Sequence, residues 1–220
     1  RNSRKVALCC DTPGFKTDSE VLKGLTIAAD ALSNVGFEVH EVTPPLLEET
    51  AKEGYSALLG EVYGLLGDDI RKYGSKKIQM IFDEYFRQFE PYEGRKLLTA
   101  MANRTRYARE WALFMDEYPL IISNLIPTTF FYPDRDAEGA AGVTEVLGAA
   151  LWSYSVNFIG HPAGIVPTHI SYTKTGATPI GIQIIGQRWR EDTVVSALIT
   201  IEKHCGTIYE KLWKQLGWLN

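Results

Sequence analysis

The sequence has 220 residues, of which 45% are hydrophobic and 23% charged, and its 23 Lys+Arg against 27 Asp+Glu leave a formal charge of −4. That balance excludes a disordered or collagen-like chain and gives no basic footprint of the kind that nucleic-acid backbones require. Three cysteines, Cys9, Cys10 and Cys205, two of them adjacent, form neither a disulfide framework nor a CxxC metal pair, so a reduced, cytoplasmic setting is expected. No stretch approaches the roughly 18 apolar residues of a spanning helix, which leaves peripheral association as the form of membrane contact still open. The chain opens on Arg1 without a charged-then-apolar leader, and this reading takes it for a processed or truncated piece.

In chain order, residues 4–10 read as a short buried strand, followed by the turn residues Asp11-Thr12-Pro13-Gly14. Thr17 and Glu20 have capping-box spacing, and Val21, Leu25, Ala28, Leu32 and Val35 fall on one helical face that Gly36 terminates. Phe37, Val39 and Val42 then suggest a second strand ending at Pro44-Pro45, which completes a βαβ unit. Residues 46–116 turn helical: a first helix through Leu46-Leu47, Leu58-Leu59, Val62 and Leu65-Leu66, weakened by glycines 54, 60, 64 and 67, a second around Ile78 to Phe86, and a third over 95–116. Leu120-Ile121-Ile122 reads as a buried strand that opens into a loop at Ile126-Pro127-Thr128-Thr129. One helix is expected around 140–156, then strands at 164–170 and 180–186 joined by a Gly176-containing turn as a hairpin, a helix at 191–203, a short apolar stretch at 206–209 and a Trp-containing tail. Alternating elements of this kind imply an α/β fold with a mixed sheet flanked by helices.

Motifs for chemistry are sparse. The sequence contains no GxSxG elbow, HExxH pair, GxxxxGK[ST] loop or GxGxxG turn. His40, His161, His169 and His204 are far apart, and His161 ranks first because it lies in a Gly/Pro-rich loop, where binding residues concentrate. Cys9 and Cys10 end a buried strand with no neighbouring cation to generate a thiolate, and Ser153 and Ser155 read as packing or capping residues. Two segments exceed what local structure requires: 126–129, and 157–167 with 179–186. Either their prolines and glycines only shape turns, or their backbone lines a pocket beyond the strand ends, where open α/β sheets bind ligands.

The run Asn-Phe-Ile-Gly-His-Pro-Ala-Gly-Ile-Val-Pro (157–167), then Pro-Ile-Gly-Ile-Gln-Ile-Ile-Gly (179–186), Trp189, Glu191 and a helix ending at Ile201-Glu202, resembles the C-terminal part of the amidase signature family. Asp116, Leu120-Ile121-Ile122 and Pro127-Thr128 are similar to that family's buried strand ending in Pro-Thr, whereas residues 1–50 share only topology and Thr178 stands where the family has Leu. The aromatic insert (Tyr55, Tyr63, Tyr85, Phe86, Phe89) and Trp189-Arg190-Glu191 look weakly like fatty-acid-amide hydrolases, for which an apolar acyl channel would fit.

This resemblance implies a large mixed α/β sheet and amide hydrolysis by a lysine, a serine in a cis peptide and a serine nucleophile. The family carries all three upstream of the segments matched here. It therefore implies no catalytic residue within 1–220, and it places Ile126, Pro127, Thr128, Asn157, Phe158, Gly160 and His161 at the substrate. No cofactor or metal is implied. The implied partners are an N-terminal amidase half on the same or a separate chain and a small-molecule amide, with a homodimer also considered. The chain is expected to be one α/β unit over 1–220 with 46–116 as a helical insert, inactive alone, and to leave an apolar face or strand edge uncovered. Alternatives are a non-catalytic binding domain with an amidase-like shell and, within the family, the amidase subunit of a tRNA amidotransferase.

Overall fold

The computed structural model describes residues 4–173 and 176–219; Arg1 to Ser3, Lys174 and Thr175 of the expected hairpin turn, and Asn220 lie outside it. Its elements in order are β1 (Lys5–Cys9), α1 (Ser19–Ser33), β2 (Glu38–Glu41), α2 (Leu47–Tyr73), α3 (Lys76–Gln88), α4 (Gly94–Glu117), β3 (Leu120–Ser123), a 3-10 turn (Arg135–Ala137), α5 (Gly139–Gly148), α6 (Leu151–Ile159), β4 (Ala163–Thr173), β5 (Gly176–Gly186), α7 (Glu191–Cys205) and α8 (Ile208–Gln215). They divide into two compact units: unit 1 comprises Arg1–Pro45, Trp111–Phe130 and Gly160–Asn220, and unit 2 comprises Leu46–Glu110 and Phe131–Ile159.

Unit 1 is built on a five-stranded sheet of order β2-β1-β3-β5-β4. β1 is parallel to β2 and to β3, whereas β5 is antiparallel to β3 and to β4, so the sheet is mixed. Side chains alternate across a strand. Val6, Leu120, Ile122, Ile182 and Ile184 join Leu25, Ala28 and Leu32 of α1 and Val194, Ala197 and Ile201 of α7 in one buried cluster. Ile121 and Ile185, a directly opposed pair, take the other side and are also completely buried. Each fully buried Ile or Leu contributes about 1.5–3 kcal/mol relative to exposure.

Local details depart from the sequence expectations in four places. Asp18, not Thr17, caps α1 by accepting the Glu20 amide at 2.8 Å, because the Thr17 hydroxyl is committed to the Cys10 carbonyl at 2.8 Å. Val35 lies beyond the end of α1 and is exposed. The single helix expected over 140–156 is two: after Gly148 the Ala150 amide bonds three residues back to the Leu147 carbonyl at 3.1 Å, a tight turn that ends α5 before α6 begins. Finally, residues 208–215, read as an apolar stretch and tail, form α8.

In unit 2, α2 runs unbroken through its four glycines. Two of them mark close approaches. A Cβ on Gly54 would lie 2.5 Å from the Phe158 side chain of α6, and one on Gly60 would lie 1.9 Å from the Tyr92 carbonyl oxygen. Helix propensity is given up there for contact distance. Tyr55 anchors the result, its ring meeting Phe89 edge-on at 4.5 Å and Tyr154 at 4.1 Å.

Gly24 has the same role in unit 1, since its Cβ would meet Thr168 Oγ1 at 2.9 Å and Ile182 Cδ1 at 3.0 Å. Gly24→Val is expected to destabilise the protein by about 1–3 kcal/mol through overpacking, despite any gain in helix propensity. Urea unfolding of the variant checks this, and an unchanged midpoint would show that α1 packs more loosely than these distances indicate.

Candidate substrate site

Three places hold the residues that the sequence singles out. The first is the end of the unit 1 sheet where β1 and β3 finish. Here Gly14, with φ of 81°, lets the chain turn back so that the Phe15 amide reaches the Thr12 carbonyl at 3.0 Å. The loop after β3 carries Ile126, Pro127 and Thr128, and the Pro127 carbonyl accepts the Asp18 amide at 2.8 Å, which ties this loop to the start of α1. Behind it lies a buried polar cluster. The Thr12 hydroxyl donates to Asn124 Oδ1 at 2.8 Å, and Gln183 Nε2 reaches the Ser123 hydroxyl at 3.5 Å. Asn124 is fully buried, and its Nδ2 has no hydrogen-bond partner among the described residues. Burying amide hydrogens without a partner costs about 1–3 kcal/mol, which makes Asn124 an unsatisfied donor beside the strand ends.

The second place is the opposite end of β3. Gly186 pairs with Leu120 whereas Gln183 pairs with Ser123, so the two ends lie about 10 Å apart at strand rise. His161 is only 7% exposed and its Nδ1 is 2.9 Å from the Gly186 carbonyl. A carbonyl only accepts, so Nδ1 carries the proton and Nε2 presents a lone pair, buried and without a partner among the described residues. The Gly186 amide donates to the Pro162 carbonyl at 2.9 Å, and Arg188 Nε donates to the Gly160 carbonyl at 3.4 Å. Gly160 and His161 therefore fasten the start of β4 to the end of β5, while the His161 ring lies 5.9 Å from that of Trp111.

The third place is in unit 2. Asn157 and Phe158, at the end of α6, line a groove of about 300 Å³ with Gly54, Ala57, Leu58 and Glu61 of α2, Met101 and Arg104 of α4, and Tyr154. Arg104 Nε donates to the Phe158 carbonyl, and Asn157 Nδ2 donates to the Ser153 hydroxyl at 3.3 Å. The lining is mostly apolar and includes one cation, Arg104, and one carboxylate, Glu61. Ligand pockets have this composition, a mostly apolar lining with a few placed polar groups.

Thus the structure brings Ile126, Pro127 and Thr128 together at one sheet end, Gly160 and His161 at the other, and Asn157 with Phe158 in the unit 2 groove. The sequence reading did not single out Thr12 or Asn124, and it had Gln183 only as part of the 179–186 segment. A glutamine inside an otherwise isoleucine-rich strand was the available signal for the last. None of the three cysteines offers an activated nucleophile. Burial pushes all three thiols above their usual range, and Cys9 Sγ donates to the Val42 carbonyl at 2.9 Å. His169 donates to the Glu20 carboxylate at 3.2 Å, which holds that carboxyl below its usual value. No group of three or more His, Cys, Asp or Glu among the described residues is placed to hold a metal ion. No helix among them is long and apolar enough to cross a membrane. A larger cavity, of about 550 Å³, opens near the first residues of α7, but it mixes Arg4 and Arg190 with Asp116 and Asp192, and Arg190 is already paired with Asp192 at 2.9 Å.

The Amidase family model matches residues 1–195. The chain belongs to the amidase signature family. It is 27% identical over 213 residues to an indoleacetamide hydrolase of Bradyrhizobium japonicum, covering 96% of this chain and 45% of that protein. It is 28% identical over 203 residues to a fatty acid amide hydrolase of Medicago truncatula, covering 89% of this chain and 32% of that protein. Its fold matches that of 6-aminohexanoate cyclic dimer hydrolase complexed with substrate, with a TM-score of 0.71 at 18% identity, over 94% of this chain and 46% of that one. The chain therefore spans less than half the length of each of these proteins.

Burial, reinforced by the Arg188 charge, holds the His161 imidazole below its ordinary value of 6.5. On acidification the unfolded chain takes up this proton first, so the stability involved is full above about pH 6.5 and is lost as the pH falls below it. His161→Gln retains a donor for Gly186 but cannot titrate. Its unfolding free energy is expected to fall less steeply than wild type between pH 7 and pH 5, and parallel curves would remove His161 as a contributor.

Proposed function

We propose that this amidase chain is the substrate-pocket and scaffold half of an amidase-signature hydrolase that cleaves carboxylic amides. In this reading the Ser-Ser-Lys machinery lies on an upstream amidase segment, on the same or a separate chain. The observation that carries the reading is the apolar groove of unit 2, lined by Asn157 and Phe158, in a chain that belongs to this family. The named activities of the relatives, on indoleacetamide and on fatty acid amides, are consistent with an amide that carries a large apolar group.

An amide is a poor electrophile, so its hydrolysis needs a serine stripped of its proton by a relay and N–H donors for the tetrahedral oxyanion. What this chain contributes is binding. Leu58, Met101, Tyr154 and Phe158 hold the apolar part of the substrate out of water, and Arg104, by binding the Phe158 carbonyl, fixes the end of α6 that presents Phe158. Ile126, Pro127 and Thr128 at one end of the unit 1 sheet and Gly160 and His161 at the other supply backbone walls toward the acyl or leaving group. Binding energy from such remote groups is what positions the reacting carbonyl.

The direct test combines the chain with a separately expressed N-terminal amidase segment and assays hydrolysis of indole-3-acetamide. Restored hydrolysis is expected, with a fluorophosphonate probe labelling the N-terminal segment alone. Labelling of any serine in 1–220 would overturn the assignment of catalysis to the partner segment. In the reconstituted enzyme, Gly54→Val drives Phe158 into the groove and is expected to raise KM for indole-3-acetamide about tenfold, equivalent to 1.4 kcal/mol, with little change for acetamide. Equal effects on both amides would place the apolar group of the substrate elsewhere.

A further inference from the structure

The unit 2 groove is lined by one face from each of three helices. Leu58 and Glu61 lie three residues apart on α2, Met101 and Arg104 three apart on α4, and Tyr154 and Phe158 four apart on α6, spacings that bring side chains to one side of a helix. Leu58 and Met101 are 46% and 41% exposed, so apolar surface is open to whatever enters. Tyr154 and Phe158 are each held by another ring. Tyr154 meets Tyr55 edge-on at 4.1 Å, and the Phe158 ring lies 6.4 Å from that of Tyr107. These two walls are therefore set before a ligand arrives.

Arg104 is the member of this lining whose binding capacity is least used. Its Nε–H is committed to the Phe158 carbonyl, which fixes the guanidinium against the end of α6. Among the described residues no carboxylate pairs with it and no protein ring stacks on it. A guanidinium is always protonated and weakly hydrated, so it lies readily against an aromatic face. The surrounding charge does not favour an anion as its partner. Glu61 in the same lining offsets Arg104, and Glu53 on the same helix as Glu61 carries a further carboxylate, which accepts the Asn103 side-chain amide at 2.9 Å. A neutral ring, by contrast, is drawn to the cation through its quadrupole and needs no net charge in the groove.

The rest of the lining favours the same guest. A thioether such as that of Met101 attracts ring edges, and fixed rings such as Tyr154 and Phe158 prefer another ring offset or edge-on to them. An alkyl chain draws on none of these interactions and gains only from the area it buries. The volume, about 300 Å³, is at the lower end for ligand pockets and suits a compact ring system better than a long chain.

We propose that this groove selects aryl amides over alkyl amides, the substrate's ring lying against the Arg104 guanidinium between Met101 and the rings of Tyr154 and Phe158. This selection rests on unit 2 holding the apolar part of the substrate, as proposed above, and it makes Arg104 a specificity-determining residue.

Amides of equal carbon count separate the effect of the ring from hydrophobicity: 2-phenylacetamide, 2-cyclohexylacetamide and octanamide. Their dissociation constants for the chain as it stands are read by NMR titration. Burial of apolar area alone would favour the two saturated amides. The wild type is expected to bind 2-phenylacetamide about fivefold more tightly than either. Arg104→Met should abolish that preference by weakening the aryl amide alone, and Arg104→Lys, which keeps a cation, should retain part of it. The proposal is overturned if a saturated amide binds the wild type as tightly as the aryl one, or if Arg104→Met keeps the preference. It is also overturned if Arg104→Met weakens all three amides equally, which would make Arg104 only a prop for α6. Gly54→Val, which drives Phe158 into the groove, tells this failure from that of the underlying reading. If it weakens all three amides while the wild type shows no aryl preference, the groove is the site and only the selection fails. If no amide binds, or if Gly54→Val leaves all three unchanged, the groove does not hold the apolar group and both fall.

Discussion

β3 is four residues long, and Leu120, Ile121, Ile122 and Ser123 are each at most 3% exposed. The strand lies between β1, to which it is parallel, and β5, to which it is antiparallel. Without it, the βαβ half of unit 1 and the β4–β5 hairpin would share no backbone hydrogen bonds within the sheet. The reversal of direction at this point also decides what gathers at each end. Because β5 runs against β3, Gln183, within the buried run of β5, comes to lie beside Ser123, the last residue of β3. A wholly parallel sheet would have placed a loop there instead, and the polar cluster around Asn124 would have lost one of its members.

The two units manage tight packing by the same means. A glycine in mid-helix is a local weakness, yet Gly24, Gly54 and Gly60 stand where a neighbouring side chain or carbonyl comes within a distance that excludes a Cβ. What looks unfavourable by helix propensity is required by helix-to-neighbour distance, and the latter prevails because tertiary burial outweighs about 1 kcal/mol of intrinsic preference.

Much of this was legible in the residues. Val21, Leu25, Ala28 and Leu32 declared the buried face of α1 by their spacing, and the Leu-Ile-Ile run declared the central strand, because burial leaves a periodic trace that survives without tertiary information. The resemblance to the amidase signature was carried by the 157–167 and 179–186 segments, and the family match over residues 1–195 establishes it. Legibility failed where one group has two competing partners. Thr17 has the right spacing for a cap but serves the Cys10 carbonyl, which belongs to a strand that no local pattern could pair with it. The site was legible only in pieces for a related reason. Gly160, His161 and Phe158 are near neighbours in sequence, but His161 is drawn to the Gly186 carbonyl whereas Phe158 is drawn against Gly54, and sequence proximity carries no information about that divergence.

The pairing of β1 with β3 sets Val6 opposite Leu120, more than a hundred residues later, with most of the helical unit encoded between them. Closing a loop of that length must be paid in chain entropy before the sheet returns any of it. Helical contacts of short range form in microseconds, whereas long-range strand pairing is slow. During synthesis, then, β1 and β2 emerge before β3 and wait, their hydrogen-bonding edge unfilled, until that strand, encoded after the helices α2 to α4, arrives. The turn-bounded shortness of β1 and β2, five and four residues, keeps that waiting edge small. In this fold, strand length acts as a safeguard in time, limiting what can go wrong before the central strand is made.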